Sequence, residues 1–234
     1  MNIAVILSGG TGSRMGLDKP KQYIEIAGKP ILNYCLSIFI DSDKIDAIVI
    51  VRADEWKDYV WRNVNRLHPS KPVYYAEPGE TRQYSIYNAL RVVKEHYYRD
   101  DDIVIIHDAA RPLVSNKLIE SCIKACENAD GVMPVIACKD TVYLSEDGEH
   151  IKALLNRDKL WNGQAPEAFR LRKYLEAHEA MSQEELLKIN GSTELAFKAG
   201  LKCRMIAGDP MNFKITTMED LDTFKSIITK QTCK

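Results

Sequence analysis

No apolar run in this chain approaches the ~20 residues that a membrane-spanning helix requires. Neither sign of charge dominates. The 32 Lys and Arg against 33 Asp and Glu argue against a protein that coats nucleic acid or a membrane surface, and leave anion recognition to a local cluster. The 6 cysteines (35, 122, 126, 138, 203 and 233) form no C-x-x-C and no Cys/His ligand spacing. Most lie in apolar segments, where cysteine acts as a small hydrophobe, so a reduced protein without zinc is expected. Repeats, low-complexity tracts and linkers are missing, and because the sequence runs straight into the first predicted strand no signal peptide is expected. The expectation is a cytoplasmic protein with a single domain over 1–234.

What is present begins at Ile3. The run Ile3 to Leu7 reads as a buried parallel strand and breaks into Ser8-Gly9-Gly10-Thr11-Gly12. Glycines there permit φ > 0 and leave backbone N–H groups unshielded, and Arg14, Lys19 and Lys21 follow at once. A strand opening into a glycine loop studded with cations suits a polyphosphate. The loop is not a Walker sequence, since no Lys-Ser or Lys-Thr follows Gly12. The dinucleotide pattern G-x-G-x-x-G misses by one residue, with glycine at 16 and Met15 in its place. The alternative is an ordinary βα turn, which rarely carries so much positive charge.

Further along, helical spacing predicts a helix over Pro30 to Ile40, a β-branched strand over Ile45 to Val51, and a helix capped by Asp54 through Leu67. Strands are expected at Val73–Ala76, Ile103–Ile106, Gly131–Ala137 and Leu201–Ile206. Helices are expected at Glu80–Tyr98, Asn116–Glu127, Ser192–Lys198 and Thr217–Ile228, with a mainly helical stretch from Arg170 to Lys188. The β–α alternation implies an α/β fold: a mostly parallel, Rossmann-like sheet flanked by helices. Between 139 and 160 the alternation yields to a β-hairpin around Gly148. Such a hairpin has unpaired edges and little to pack on, so it is expected to reach onto a second subunit.

In an open parallel sheet, ligands sit beyond the carboxyl ends of the strands. The loops expected there carry Arg14 and Lys21; Gly79, Glu80, Arg82 and Ser85; His107, Asp108, Ala109 and Arg111; and Asp209, Asn212 and Lys214. Cations alone would suit passive anion binding. Adding Asp108 and Asp209 suggests Mg²⁺ bridging phosphate oxygens, and hence phosphoryl or nucleotidyl transfer by positioning and charge stabilisation. Structural readings stand beside these: His107 as a hydrogen-bonded structural imidazole, Arg111 as a tie to its own helix, Arg82 as an internal ion-pair partner, Trp161 and Tyr143 as packing residues.

These motifs resemble, in order and over essentially the whole chain, the cytidylyltransferases that act on 2-C-methyl-D-erythritol 4-phosphate and on ribitol 5-phosphate. The resemblance rests on Gly9 to Gly16 with Pro20-Lys21-Gln22, Gly79-Glu-Thr-Arg82 with Ser85, and His107-Asp-Ala-Ala-Arg-Pro112. It continues through Lys139-Asp-Thr141, Arg157-Asp-Lys-Leu-Trp161, Gln164-Ala-Pro-Glu-Ala-Phe169 and Asn212 to Leu221. It implies that Ser8, Gly9, Gly10, Thr11, Gly12, Gly79, Glu80, Arg82, Ser85 and Ala109 surround the nucleotide of CTP, and that Arg14, Lys21 and Lys214 are catalytic. It further implies that Asp108, Arg157 and Asn190 meet an alditol phosphate, that Asp108 and the weaker candidate Asp209 meet Mg²⁺, and that the hairpin arm swaps within a homodimer. Nucleic acid and membrane are not implied as partners.

Two departures bear on the acceptor. The relatives usually carry Thr-Asp where this chain has Asn190-Gly191, and Gln-Thr-Pro-Gln where it has Gln164-Ala-Pro-Glu167. Such changes beside a polyol site alter which hydroxyls are satisfied. The Ser-Gly-Gly-Thr-Gly opening and Asn162-Gly163-Gln164 lean to ribitol 5-phosphate, whereas Arg157 to Trp161 lean to methylerythritol phosphate. Ribitol 5-phosphate is the first expectation, methylerythritol phosphate the second, another sugar or alditol phosphate the third.

Overall fold

The computed structural model describes residues 1–10 and 19–232. Strands β1 (Asn2–Leu7), β4 (Ala47–Val51), β5 (Val73–Ala76) and β6 (Ile103–Asp108) pair in parallel in the order β6–β1–β4–β5. Their apolar runs divide by the two-residue strand period. Ala4 and Ile6 of β1 join a core with α1 (Ile31–Asp41), α2 (Lys57–Asn65) and α4 (Asn116–Cys126). Ile3 and Val5 join a second core with α3 (Arg82–His96), α5 (Leu171–Glu179), α6 (Gln183–Lys188) and α7 (Ser192–Lys198). Burial on both faces is what the unbroken apolar runs required.

Beyond β6 the sheet becomes mixed. Strand β11 (Glu167–Arg170) runs antiparallel between β6 and β7 (Gly131–Ala137). Strand β10 (Trp161–Gly163) pairs antiparallel with β7, and β12 (Cys203–Ala207) pairs parallel with it. The sequence reading missed β10 and β11 because each is too short to display a period. Two short strands, β2 (Glu25–Ile26) and β3 (Lys29–Pro30), form a separate hairpin. Helix α8 (Met218–Thr232) closes a small third cluster through Leu221 and Phe224, packed on Ile31 and Ile215.

Helix starts follow local chemistry. Thr81 caps α3 by accepting from the Tyr84 N–H, Ser115 caps α4 at Leu118, and Thr217 accepts from the Asp220 N–H as expected. Asp54 is a correction. It lies inside a 3₁₀ turn, Asp54–Trp56, whose flanking residue is Ala53, so it caps no helix. Its carboxylate pairs instead with Lys57, three residues on.

The expected hairpin forms from β8 (Val142–Leu144) and β9 (Ala153–Leu155), with Gly148 at φ +80 in the loop. Tyr143 and Trp161, read as packing residues, are exposed within the described chain, as are Ile151 and Leu154.

Candidate active site

The chain reverses its direction of travel across the sheet at β1, with β4 on one side and β6 on the other. The carboxyl ends of these strands form the crevice that this topology reserves for ligands. Ser8 extends β1 by donating its N–H to the Val51 carbonyl at 3.0 Å, and Ala109 extends β6 by donating to Leu7. The turn after β1 is then fixed by side chains just beyond the loop. Gln22 donates from Nε2 to the carbonyls of Ser8 and Gly10, both at 2.7 Å, while Tyr23 donates to the Ser8 carbonyl and accepts from its hydroxyl. Sequence reasoning quoted Gln22 only as part of the Pro20-Lys21-Gln22 motif and gave neither it nor Tyr23 a role. The available signal was their place directly after Lys21 in that motif; their burial appears only in the structure.

Gly9 and Gly10 do not use the positive φ expected of them. Gly9 is required for another reason: a Cβ there would stand 2.7 Å from Cβ of Pro78, so the turns after β1 and β5 meet backbone to ring. Gly79 is tighter still, with Cβ of Tyr84 at 2.3 Å from any added methyl. Its N–H donates to Ser85 Oγ, which in turn donates to the Thr81 carbonyl. Glu80 is exposed and Ala109 is buried. Thr11, Gly12 and Arg14 lie outside the described residues.

Asp108 is the centre of the charged cluster. It is 7% exposed, and both oxygens are taken. Oδ1 faces the Arg82 guanidinium at 3.2 Å, and Oδ2 faces Lys214 Nζ at 2.9 Å and Arg111 Nε at 3.6 Å. Burial by itself would raise this carboxyl, but Arg82, Lys214 and Arg111 outweigh it and hold Asp108 well below the usual carboxylate range. Arg82 is an internal ion-pair partner, as the structural reading had it: besides Asp108 it meets Glu167 at 3.4 Å and donates to Ser192 Oγ at 2.6 Å. Arg111 does not tie the loop to its own helix. It donates to the Asn212 carbonyl at 2.9 Å and so joins the loop after β6 to the loop that carries Lys214.

That second loop is stitched down along its length. The Gln164 side-chain amide accepts from the Asp209 N–H and donates to the Asp209 carbonyl, Asn212 Nδ2 donates to the Ala165 carbonyl, and Ile215 donates to Ala110. The Asp209 carboxylate accepts from the Met211 N–H in its own turn. Arg157 sits on the arm, exposed, donating to the Lys139 carbonyl outside the charged cluster. Asn190 is exposed just before α7 and turns its side chain to the Lys188 carbonyl.

No three acidic, His or Cys side chains converge among the described residues. A divalent ion here would therefore depend on phosphate oxygens for most of its ligands, which suits Mg²⁺ with one carboxylate. Asp108 would be the carboxylate to offer it an oxygen, beside the cations it already meets.

His107 is fully buried, its Nε2 on the Arg111 carbonyl, and burial lowers it to about 4. His178 on α5, held between Gln83 and the Tyr174 carbonyl, is lowered to about 4 for the same reason. Both are structural imidazoles. Their folded values lie below the ordinary ~6.5, so the unfolded chain takes up protons first as pH falls. Stability present above pH ~6.5 should decline by roughly 1.4 kcal/mol per pH unit for each histidine between there and about 4. Thermal midpoints measured from pH 7 to 4.5 should show this decline, and His178→Gln should flatten it; equal slopes in the two proteins would refute the assignment to His178.

The family profile "IspD: 2-C-methyl-D-erythritol 4-phosphate cytidylyltransferase" matches residues 2–230. The chain belongs to this family. It is thus a nucleotidyltransferase. Among its relatives, a ribitol-5-phosphate cytidylyltransferase of Streptococcus agalactiae is 33% identical over 228 residues, covering 97% of this chain and 95% of that protein. A 2-C-methyl-D-erythritol 4-phosphate cytidylyltransferase of Caldanaerobacter subterraneus is 36% identical over 223 residues, covering 94% and 96%. The crystal structure of 4-diphosphocytidyl-2C-methyl-D-erythritol synthase from Anaerococcus prevotii superposes with a TM-score of 0.81 at 25% identity, over 97% of this chain and 96% of that one. Both relatives' names thus occur at similar identity. No helix among the described residues is long and apolar enough to cross a membrane.

Proposed function

We propose that this chain, a single cytidylyltransferase domain over 1–234 acting in the cytoplasm, transfers CMP from CTP to the phosphate of an alditol, D-ribitol 5-phosphate first. The observation that carries this reading is the Lys214–Asp108–Arg82 cluster on the Ser8–Gly10 edge of the sheet. A phosphate oxygen of the acceptor attacks the α-phosphorus of CTP, the bond from that phosphorus to the bridging oxygen breaks, and pyrophosphate carries away the electron pair. The attacking oxygen is already anionic, so no general base is needed. Charge grows instead on the oxygens of the five-coordinate phosphorus, and Lys21 and Lys214 are the side chains assigned to meet it, with Arg14 on the triphosphate. Ser8 to Gly12, Gly79, Glu80, Ser85 and Ala109 enclose the nucleotide. Mg²⁺, when bound, would shield the phosphate oxygens, with Asp108 as its carboxylate and Asp209 secondary.

Ribitol 5-phosphate is favoured by the glycine-loop opening and by Asn162-Gly163-Gln164. The second reading, 2-C-methyl-D-erythritol 4-phosphate, is favoured by Arg157 to Trp161. A pyrophosphate-release panel with CTP and four or five polyol phosphates separates them. The highest kcat/KM is expected with D-ribitol 5-phosphate; a higher value for methylerythritol phosphate would reverse the order, and release with none would overturn both.

The arm over 139–160 supports a homodimer. Tyr143, Ile151 and Leu154 expose apolar surface on a hairpin too small to bury it by itself. Arg157 would then act on the partner's acceptor. Arg157→Ala should raise KM for the alditol phosphate much more than KM for CTP; equal effects on both would contradict that placement.

A further inference from the structure

Glu167 is the one acid in the short segment Ala165 to Phe169, and it is 7% exposed in the strand between β6 and β7. Its two oxygens reach different elements. Oε2 pairs with Arg82 at 3.4 Å, and Oε1 accepts from both the N–H and the hydroxyl of Thr193, at 3.1 and 2.7 Å. Residue 191, which precedes α7, is glycine and offers no side-chain cap, so the start of α7 is capped from another strand. The neighbouring residue is held as firmly: Ser192 is fully buried, its hydroxyl bound to Arg82 and its carbonyl to the Tyr174 hydroxyl.

Arg82 therefore stands between two carboxylates, Asp108 toward Lys214 and Glu167 toward α7. We propose that Glu167 is a positioning residue for the acceptor: it fixes Arg82, which pairs with Asp108 beside Lys214, and the Ser192–Thr193 turn that follows Asn190, and through them sets which polyol length and hydroxyl pattern is accepted. This rests on the alditol-phosphate reading above and assigns the side of the site that selects the acceptor. The carbonyls of Ser8 and Gly10 are held by Gln22 and Tyr23, whereas Glu167 is bound to Arg82 and Thr193. It acts through Arg82 and Thr193. Polar groups fixed in this way reject an analogue strongly when its hydroxyls do not meet them.

Glu167→Gln keeps an oxygen for Thr193 and removes the charge beside Arg82. With the best acceptor of the panel, KM for the acceptor should rise about tenfold while KM for CTP changes by less than about twofold. The ranking of the panel should narrow as well. Equal rises in both KM values would show a general loss of structure and overturn the proposal, as would unchanged values. Should Glu167→Gln not fold, Thr193→Val, which removes only a hydroxyl at a half-buried position, should give a smaller shift in the same direction, and no shift would overturn the proposal. The two levels fail differently. A wild-type protein that releases no pyrophosphate with any acceptor defeats the functional reading and this inference with it, whereas an active wild type with a proportionate variant defeats the inference alone.

Discussion

Lys214→Ala and Lys21→Ala should each lower kcat by about 10²-fold or more, with the fold intact. The argument begins with where the structure keeps Lys214. Its side chain is one-third exposed and its ammonium rests on Asp108 at 2.9 Å, in a loop pinned to the sheet by Asn212, Arg111 and Gln164. A cation so placed needs no reorganisation when charge appears on the phosphorus, and this preorganisation is what makes fixed charges effective. Lys21 belongs to the same edge of the sheet, because the next residue, Gln22, holds the Ser8 and Gly10 carbonyls. Folding should survive, since Asp108 retains Arg82 and Arg111 when Lys214 is removed. Steady-state kinetics beside thermal melts make the check. Near-normal kcat in either variant would remove that lysine from the chemistry.

Asp108→Ala should produce the largest loss of stability in the site, about 3–5 kcal/mol, together with loss of turnover. Three cations converge on this carboxylate in a nearly closed space, and only Glu167 would remain to balance Arg82. Removing one partner of a buried ion pair leaves the other charge desolvated, which costs more than the pair itself contributed. For a chain of this size the thermal midpoint should fall by roughly 10 °C. Asp108→Asn should fall less, because an amide oxygen still accepts from Arg82 or Lys214. A midpoint unchanged in the alanine variant would mean that the cations hold one another apart without Asp108, and the account of the cluster would be wrong.

The cluster also shows why some of the site was legible and some was not. Lys21, Asp108 and Lys214 each follow an apolar strand or glycine loop, so their place at the carboxyl edge came from pattern alone. Glu167 and Thr193 could not be read that way. Glu167 lies in a four-residue strand whose polarity resembles a loop, and its contact with Arg82 spans 85 residues. Gly9 was read as a glycine for unusual torsion, yet its requirement is the approach of Pro78, which no local rule encodes. Arg111 went to the Asn212 loop instead of its own helix for a similar reason: its partner is a backbone carbonyl 101 residues away.

By itself, the sequence determined the two-faced, mostly parallel sheet, the hairpin arm and the family, because all three are written in short-range periodicity and contiguous motifs. Only the tertiary structure decided that β11 runs against its neighbours and brings Glu167 between Arg82 and Thr193, and that one carboxylate, Asp108, gathers three cations from separate loops. The physical reason is that strand polarity and apolar burial act locally along the chain, whereas charge compensation in a closed space depends on which distant groups the packing leaves no water to serve.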